Sequence, residues 1–139
     1  MIEFELKKSR IDTAASAIMK LLPNGGIVLL KGDLASGKTT LVKHIAALCG
    51  IKKNSVSSPT FSVMNAYGSN FFHYDIYQKG SRSLLENGLF ENLQQEGYHF
   101  VEWGDEELEA ILKRYALSYI VVEIVSSAPN KRVYKVYNA

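Results

Sequence analysis

Eight residues constrain this chain more than any others: Gly32-Asp33-Leu34-Ala35-Ser36-Gly37-Lys38-Thr39. They fit the pattern G-x-x-x-x-G-K-[ST] at every fixed position. Their surroundings fit as well. Residues 27–30, Ile-Val-Leu-Leu, read as a short strand buried on both faces. Residues 40–49 read as a helix with Leu41, Ile45 and Leu48 on one face, ending where Gly50 can cap it. A strand, a glycine-bearing loop and a helix in that order make a phosphate cradle. Phosphate oxygens point in all directions, so several backbone N–H groups must converge on them. Gly32 and Gly37 permit the torsions and close approach that a Cβ would obstruct. The positive end of the following helix adds to the field. Lys38 would reach the β- and γ-phosphates, and the Thr39 hydroxyl would ligate Mg²⁺.

The rest of the chain supplies strands and helices in alternation. Residues 1–6 alternate Ile2, Phe4 and Leu6 against Glu3 and Glu5, the period of a half-buried strand. Residues 9–22 carry Ala14, Ala17, Ile18, Leu21 and Leu22 at helical spacing, with Ser9 or Asp12 as candidate caps and Pro23-Asn24-Gly25-Gly26 as the stop. Residues 55–60 read as extended. Residues 61–67 and 71–77 read as a hairpin around Gly68-Ser69-Asn70. Residues 83–95 read as helix broken at Asn87-Gly88, 99–103 as a strand, and 106–115 as a helix with Leu108, Ile111 and Leu112 inward. Two last strands, 119–125 and 133–137, flank the turn Ala128-Pro129-Asn130. The outline predicts a three-layer α/β fold with a partly antiparallel sheet.

Composition narrows the setting. The chain has 139 residues, 47% hydrophobic and 22% charged. That is enough apolar surface to offset the entropy of ordering one domain, expected over residues 1–139. Sixteen Lys and Arg against 14 Asp and Glu leave a net charge of +2. No basic block stands out beyond Lys7-Lys8 and Lys52-Lys53, so composition does not suggest a wide nucleic-acid surface. Cys49 is the only cysteine, so an intrachain disulfide is excluded and a zinc site would lack thiolate pairs. No apolar run approaches the length of a membrane span, and the first residues lack the apolar core of a signal peptide. The expectation is a cytoplasmic protein without membrane contact.

A phosphate loop of this kind works with a carboxylate near the metal, at the end of a second buried strand. Three acids compete: Asp75 after residues 71–74, Glu102 after 99–101, and Glu123 within 119–125. Glu123 is the least favoured, because Ile124 and Val125 carry its strand onward; a solvated side chain is the plainer reading there. Ser57-Ser58-Pro59-Thr60 is stiffened by Pro59, and a Thr held there can sense a γ-phosphate or metal-bound water. An ordinary Ser/Thr turn competes with that reading. His73 and His99 read as packing or hydrogen-bonding residues, since no metal spacing joins them.

Five motifs in one order carry a resemblance to a known family. They are the loop through Thr40, Ser58-Pro59-Thr60-Phe61, His73-Tyr74-Asp75-Ile76-Tyr77, Glu86-Asn87-Gly88-Leu89 and Val101-Glu102-Trp103. The resemblance covers about residues 26–125. The chain resembles the TsaE (YjeE) family, bacterial P-loop ATPases of tRNA threonylcarbamoyladenosine formation. The resemblance implies a P-loop NTPase-like domain with a mixed sheet. It implies ATP and Mg²⁺ as cofactors, with Thr39 and Glu102 as the metal ligands. Gly32, Ala35, Ser36, Gly37, Lys38, Thr39 and Thr40 would cradle the phosphates, and Trp103 would lie beside the nucleotide. Lys38, Thr60, Asp75 and Glu102 would carry hydrolysis, Asp75 by orienting water. The implied partners are TsaB and TsaD, the latter transferring the threonylcarbamoyl group to adenosine 37 of tRNAs that read codons beginning with A. This chain would cycle that complex by hydrolysing ATP, meeting tRNA only indirectly or weakly.

Two stretches depart from the family. Ala35-Ser36 replaces its usual Gly-Ala before Gly37-Lys38, which puts a hydroxyl near the phosphates. Gln78 stands where it has Arg. Arg10, Arg82, Arg114 and Arg132 are scattered, with no evident internal arginine finger. Weak hydrolysis alone and faster hydrolysis in the complex fit that pattern. Lys131 and Arg132 are candidates for the adenine. Two alternatives use the same loop: a small-molecule kinase, for which no arginine-bearing lid is visible, and a nucleotide-binding scaffold that does not hydrolyse. A GTP switch is disfavoured, because Asn130-Lys131 lacks the acid that N-K-x-D requires at Val133.

Overall fold

The computed structural model describes residues 2–33, 36–59, 63–78 and 80–138. Seven strands make one sheet: β1 (Ile2–Lys7), β2 (Gly26–Lys31), β3 (Met64–Ala66), β4 (Phe71–Asp75), β5 (Tyr98–Glu102), β6 (Tyr119–Ala128) and β7 (Lys131–Asn138). Their spatial order is β1-β7-β6-β2-β5-β4-β3. The central β6, β2, β5 and β4 run parallel, and β1, β7 and β3 are added antiparallel at the two sides. The expected mixed sheet is what the chain forms.

Alternation along β2 explains the layers. Val28 and Leu30 point into one core with α1 (Ile11–Lys20) and α2 (Lys38–Leu48); Ile27 and Leu29 point into the other. That second core is covered by α3 (Arg82–Glu86), α4 (Leu89–Leu93) and α5 (Glu106–Arg114). All four β2 side chains are buried, so the strand reads as an unbroken apolar run rather than an alternating one. Truncating Leu29 or Leu30 to Ala would cost about 2–5 kcal/mol by this burial.

Helix ends differ in detail from the sequence expectations. A 3₁₀ turn, Lys8–Arg10, precedes α1, and neither Ser9 nor Asp12 caps it. The Asp12 carboxylate instead pairs with His44 of α2, and that hydrogen bond lowers its pKa from the ordinary carboxylate value. Helix α2 begins two residues early, at Lys38, so the loop lysine and threonine belong to its first turn. It ends in a Schellman cap: Ile51 N–H donates to the Ala46 carbonyl at 2.9 Å and Gly50 N–H to Ala47 at 3.1 Å. Leu48 and Leu21 face outward; Val42, Ala46, Ala15 and Leu22 complete the buried stripes. Helix α5 has the clearest cap. Asp105 Oδ1 accepts the Leu108 N–H at 2.8 Å, with three acids in the first turn and Lys113 and Arg114 in the last.

The break at Asn87-Gly88 is real: Gly88 has φ +69° between α3 and α4. The expected first hairpin strand is described only as β3, since Phe61 and Ser62 lie outside the described residues. No helix among the described residues is long and apolar enough to cross a membrane.

Candidate functional site

Parallel strands bring the chemistry to one end. Strands β2, β5 and β4 are adjacent, and their register sets Leu30 beside Glu102 and Glu102 beside Asp75. Each strand therefore ends at the same edge of the sheet, where α2 begins. That is the crevice at which open α/β sheets bind ligands. A cavity of about 400 Å³ opens there, with Gly37, Lys38, Thr39, Thr40, Asp75, Glu102 and Trp103 in its wall. A larger hollow of about 580 Å³ lies at the opposite ends of β2 and β6, but Lys113 is its only charged lining residue among the described residues. Chemistry rather than size therefore selects the site.

Glu102 is the centre of the arrangement. It is 3% exposed at the end of β5. The Thr39 hydroxyl stands 2.7 Å from one of its oxygens and 3.0 Å from the other. His73 Nε2 lies 2.5 Å from Oε2. As the Nε2–H tautomer, His73 donates to the carboxylate, and its buried Nδ1 has no partner among the described residues. Thr39 and Glu102 are both oxygen donors, side by side in the cavity wall. That donor set suits a hard cation such as Mg²⁺, which commonly takes one or two protein oxygens and completes its shell with phosphate and water.

Lys38 is buried as well. Its ammonium donates to the carbonyls of Gly32 at 2.6 Å and Asp33 at 2.9 Å, and lies 3.9 Å from the Trp103 ring centroid. Burial pushes its pKa down, opposed by the carboxylates of Glu102, Asp75 and Asp33. Trp103 follows β5 with φ +66°, a strained conformation for a bulky residue, and its ring meets Tyr77 at 4.5 Å.

Both loop glycines have positive φ. A Cβ on Gly32 would meet Ser36 Oγ at 2.6 Å and the Ile124 carbonyl oxygen at 2.7 Å. Gly37 caps α2 with φ +107°. The Ser36 hydroxyl differs from expectation. It is buried against Gly32, without a hydrogen-bond partner among the described residues, and Ser36 is not part of the cavity wall. Only the small Gly32 leaves room for it there.

Asp75 is fixed from two sides. Ser58 Oγ donates to its Oδ2 at 2.7 Å, and the Tyr77 N–H donates to Oδ1 at 2.9 Å. Of the remaining predicted residues, Ala35 and Thr60 lie outside the described residues. Glu123 is half-buried in β6, accepts the Tyr137 hydroxyl at 2.7 Å and stays out of the cavity. Arg132 is buried and bonded to backbone carbonyls, not free for a base.

His73, Lys8 and Tyr77 were not among the predicted site residues, although His73 is the hydrogen-bonding residue that the sequence suggested. Alternation in β4 places Phe71, His73 and Asp75 on one face, which was a usable signal for His73. Lys8, in the cavity wall, left none; it arrives because its N–H donates to the Asn130 carbonyl at 2.6 Å.

A sequence profile described as "Threonylcarbamoyl adenosine biosynthesis protein TsaE" matches residues 6–133. The chain belongs to the TsaE family. Among its relatives is the tRNA threonylcarbamoyladenosine biosynthesis protein TsaE of Treponema pallidum, 33% identical over 105 residues, covering 72% of this chain and 77% of that protein. The protein of the same name from Borreliella burgdorferi is 30% identical over 129 residues, covering 88% and 92%. The crystal structure of YdiB from Bacillus subtilis has the same fold, with a TM-score of 0.67 at 22% identity, covering 99% of this chain and 84% of that one. Within this TsaE chain, the family motif residues Lys38, Thr39, Asp75, Glu102 and Trp103 meet in one cavity. Gln78, the departure from the family's arginine, is exposed just beyond Asp75.

Proposed function

We propose that this chain is a Mg²⁺-dependent ATPase of tRNA threonylcarbamoyladenosine formation, acting in the cytoplasm with the TsaB–TsaD pair. The observation that carries the reading is the Thr39–Glu102 hydrogen bond beside Lys38, at the start of α2. The loop N–H groups and the α2 N-terminus would receive the phosphate chain. Thr39 and Glu102 would hold Mg²⁺, which when bound neutralises developing phosphate charge. Lys38 would leave the Gly32 and Asp33 carbonyls for the β- and γ-phosphates, stabilising the transition state. Asp75, aimed by Ser58 and the Tyr77 N–H, would orient the attacking water. Trp103, in contact with Lys38, would report the exchange of lysine partners through its fluorescence.

No arginine lines the cavity among the described residues. Slow turnover alone and faster turnover with partners fit that composition. The test is ATP hydrolysis with and without TsaB–TsaD from the same organism. The expected result is Mg²⁺-dependent turnover, stimulated by the pair and suppressed in Glu102→Gln. Nucleotide binding without turnover in the presence of active partners would make the chain a scaffold. Phosphorylation of a small acceptor would make it a kinase.

A further inference from the structure

Arg132 lies 96 residues from Ser36 in sequence, yet its Nε donates to the Ser36 carbonyl at 3.1 Å. The side chain is buried on the α2 side of β7. Its Nη1 donates to the Lys131 carbonyl at 3.0 Å, to Ser126 Oγ at 3.3 Å and to the Ala128 carbonyl at 3.5 Å. The guanidinium is thus held by the β6–β7 hairpin and presents one N–H to the phosphate loop. Next to that contact β6 carries a register shift between Ser126 and Ala128.

A trans peptide is planar, so its C=O and the next N–H point in opposite directions. Drawing the Ser36 carbonyl toward Arg132 turns the Gly37 N–H the other way. Gly37 is in the cavity wall. Glycine also makes the alternative orientation accessible, because it accepts φ values of either sign. The peptide between Ser36 and Gly37 therefore needs something to hold it.

We infer that Arg132 is a positioning residue that locks the Ser36–Gly37 peptide with its N–H directed at the bound phosphate. It acts from behind the loop and does not touch nucleotide. This rests on the nucleotide reading given above and goes beyond it, since it assigns the loop's preorganisation to the far hairpin. The hairpin reaches the site's other side too, through the Lys8 N–H on Asn130.

The experiment measures ADP affinity calorimetrically and the Gly37 amide by ¹H–¹⁵N NMR, in the full chain. Arg132→Met keeps the apolar stem and removes every donor. Arg132→Lys returns one cationic donor within reach of Ser36. Ser126→Ala removes a hairpin partner of Arg132 and leaves the Ser36 contact. The expected result is ADP binding weakened about tenfold or more in Arg132→Met, the strength of a hydrogen bond from a charged donor. The downfield move of the Gly37 amide at saturating ADP is lost in that variant. Arg132→Lys recovers part of both, and Ser126→Ala changes neither. Wild-type affinity and a wild-type Gly37 shift in Arg132→Met overturn the inference. So does equal weakening by Ser126→Ala, which would make Arg132 a hairpin staple. If Arg132→Met does not fold, Arg132→Lys against Ser126→Ala decides: equal effects overturn it, and a larger loss from Arg132→Lys supports it. A wild-type chain without ADP affinity overturns the nucleotide reading as well, which separates the two failures.

Discussion

Two buried histidines sit on neighbouring strands and face opposite sides of the sheet. His99, on β5 facing α4, has both ring nitrogens bonded. Nε2 donates to the Gln95 carbonyl at 2.8 Å, so Nδ1 is the acceptor and takes the Tyr74 hydroxyl at 2.7 Å. Asn92 then donates to the Tyr74 oxygen at 2.7 Å. Every proton in that chain is assigned by its neighbour. His73, on β4 facing α2, bonds Glu102 through one nitrogen, and its other nitrogen has no partner among the described residues. Buried polar groups are normally paired, and one left unpaired costs about 1–3 kcal/mol. The His99 network fastens α4 to the sheet. The His73 side holds a carboxylate at the cavity wall and keeps reactive oxygens there.

Perturbing the two sides should therefore read out in different assays. The largest effect is expected from Lys38→Ala, which should lower ATP turnover by at least about 100-fold, the usual scale for removing a group that stabilises transition-state charge. Melting temperatures of that variant should stay near wild type, and wild-type turnover would break the comparison at its strongest point. Next comes His73→Leu. It should reduce the Mg²⁺ enhancement of ATP binding about 10- to 100-fold, as loss of a ligand's supporting hydrogen bond does. His73→Gln, which restores a donor, should lose less; equal losses would make His73 a packing residue.

Tyr74→Phe should do the opposite. It leaves His99 and Asn92 without their shared partner and should cost about 1–3 kcal/mol in urea unfolding, with ATP affinity unchanged. The smallest effect is on pH. Burial pushes the His99 pKa below its ordinary value, with the Gln95 hydrogen bond opposing. The folded state therefore disfavours the proton that the unfolded chain takes near pH 6.5. The resulting stability is full above about pH 6.5 and is lost as pH falls, by at most about 1.4 kcal/mol per unit. An NMR titration should find the His99 ring neutral below pH 6.5. A ring that takes its proton at the ordinary value would show that the network does not exclude charge.

Much of the site was legible because its determinants are local. The glycines, Lys38 and Thr39 lie within eight consecutive residues, and strand periodicity set Asp75 and Glu102 at strand ends. Their junction was less legible. The His73–Glu102 bond depends on the register of β4 on β5, and the Arg132–Ser36 bond on a hairpin 96 residues from the loop. Neither spacing repeats a period that a sequence can display. Helix faces failed in a different way: Leu48 is the last residue of α2 and is exposed, so its spacing matched but its burial did not. Asp12 resembled a cap until His44, 32 residues away, took its carboxylate.

The most direct test of the account is the affinity for ATP in Mg²⁺ and in EDTA, measured on the wild-type chain and on Glu102→Gln. Mg²⁺ is expected to tighten ATP binding in the wild type and to have little effect in Glu102→Gln, while metal-free affinity is similar in both. Equal Mg²⁺ enhancement in the two chains would contradict it, because the metal would then be held without the carboxylate around which this site is arranged.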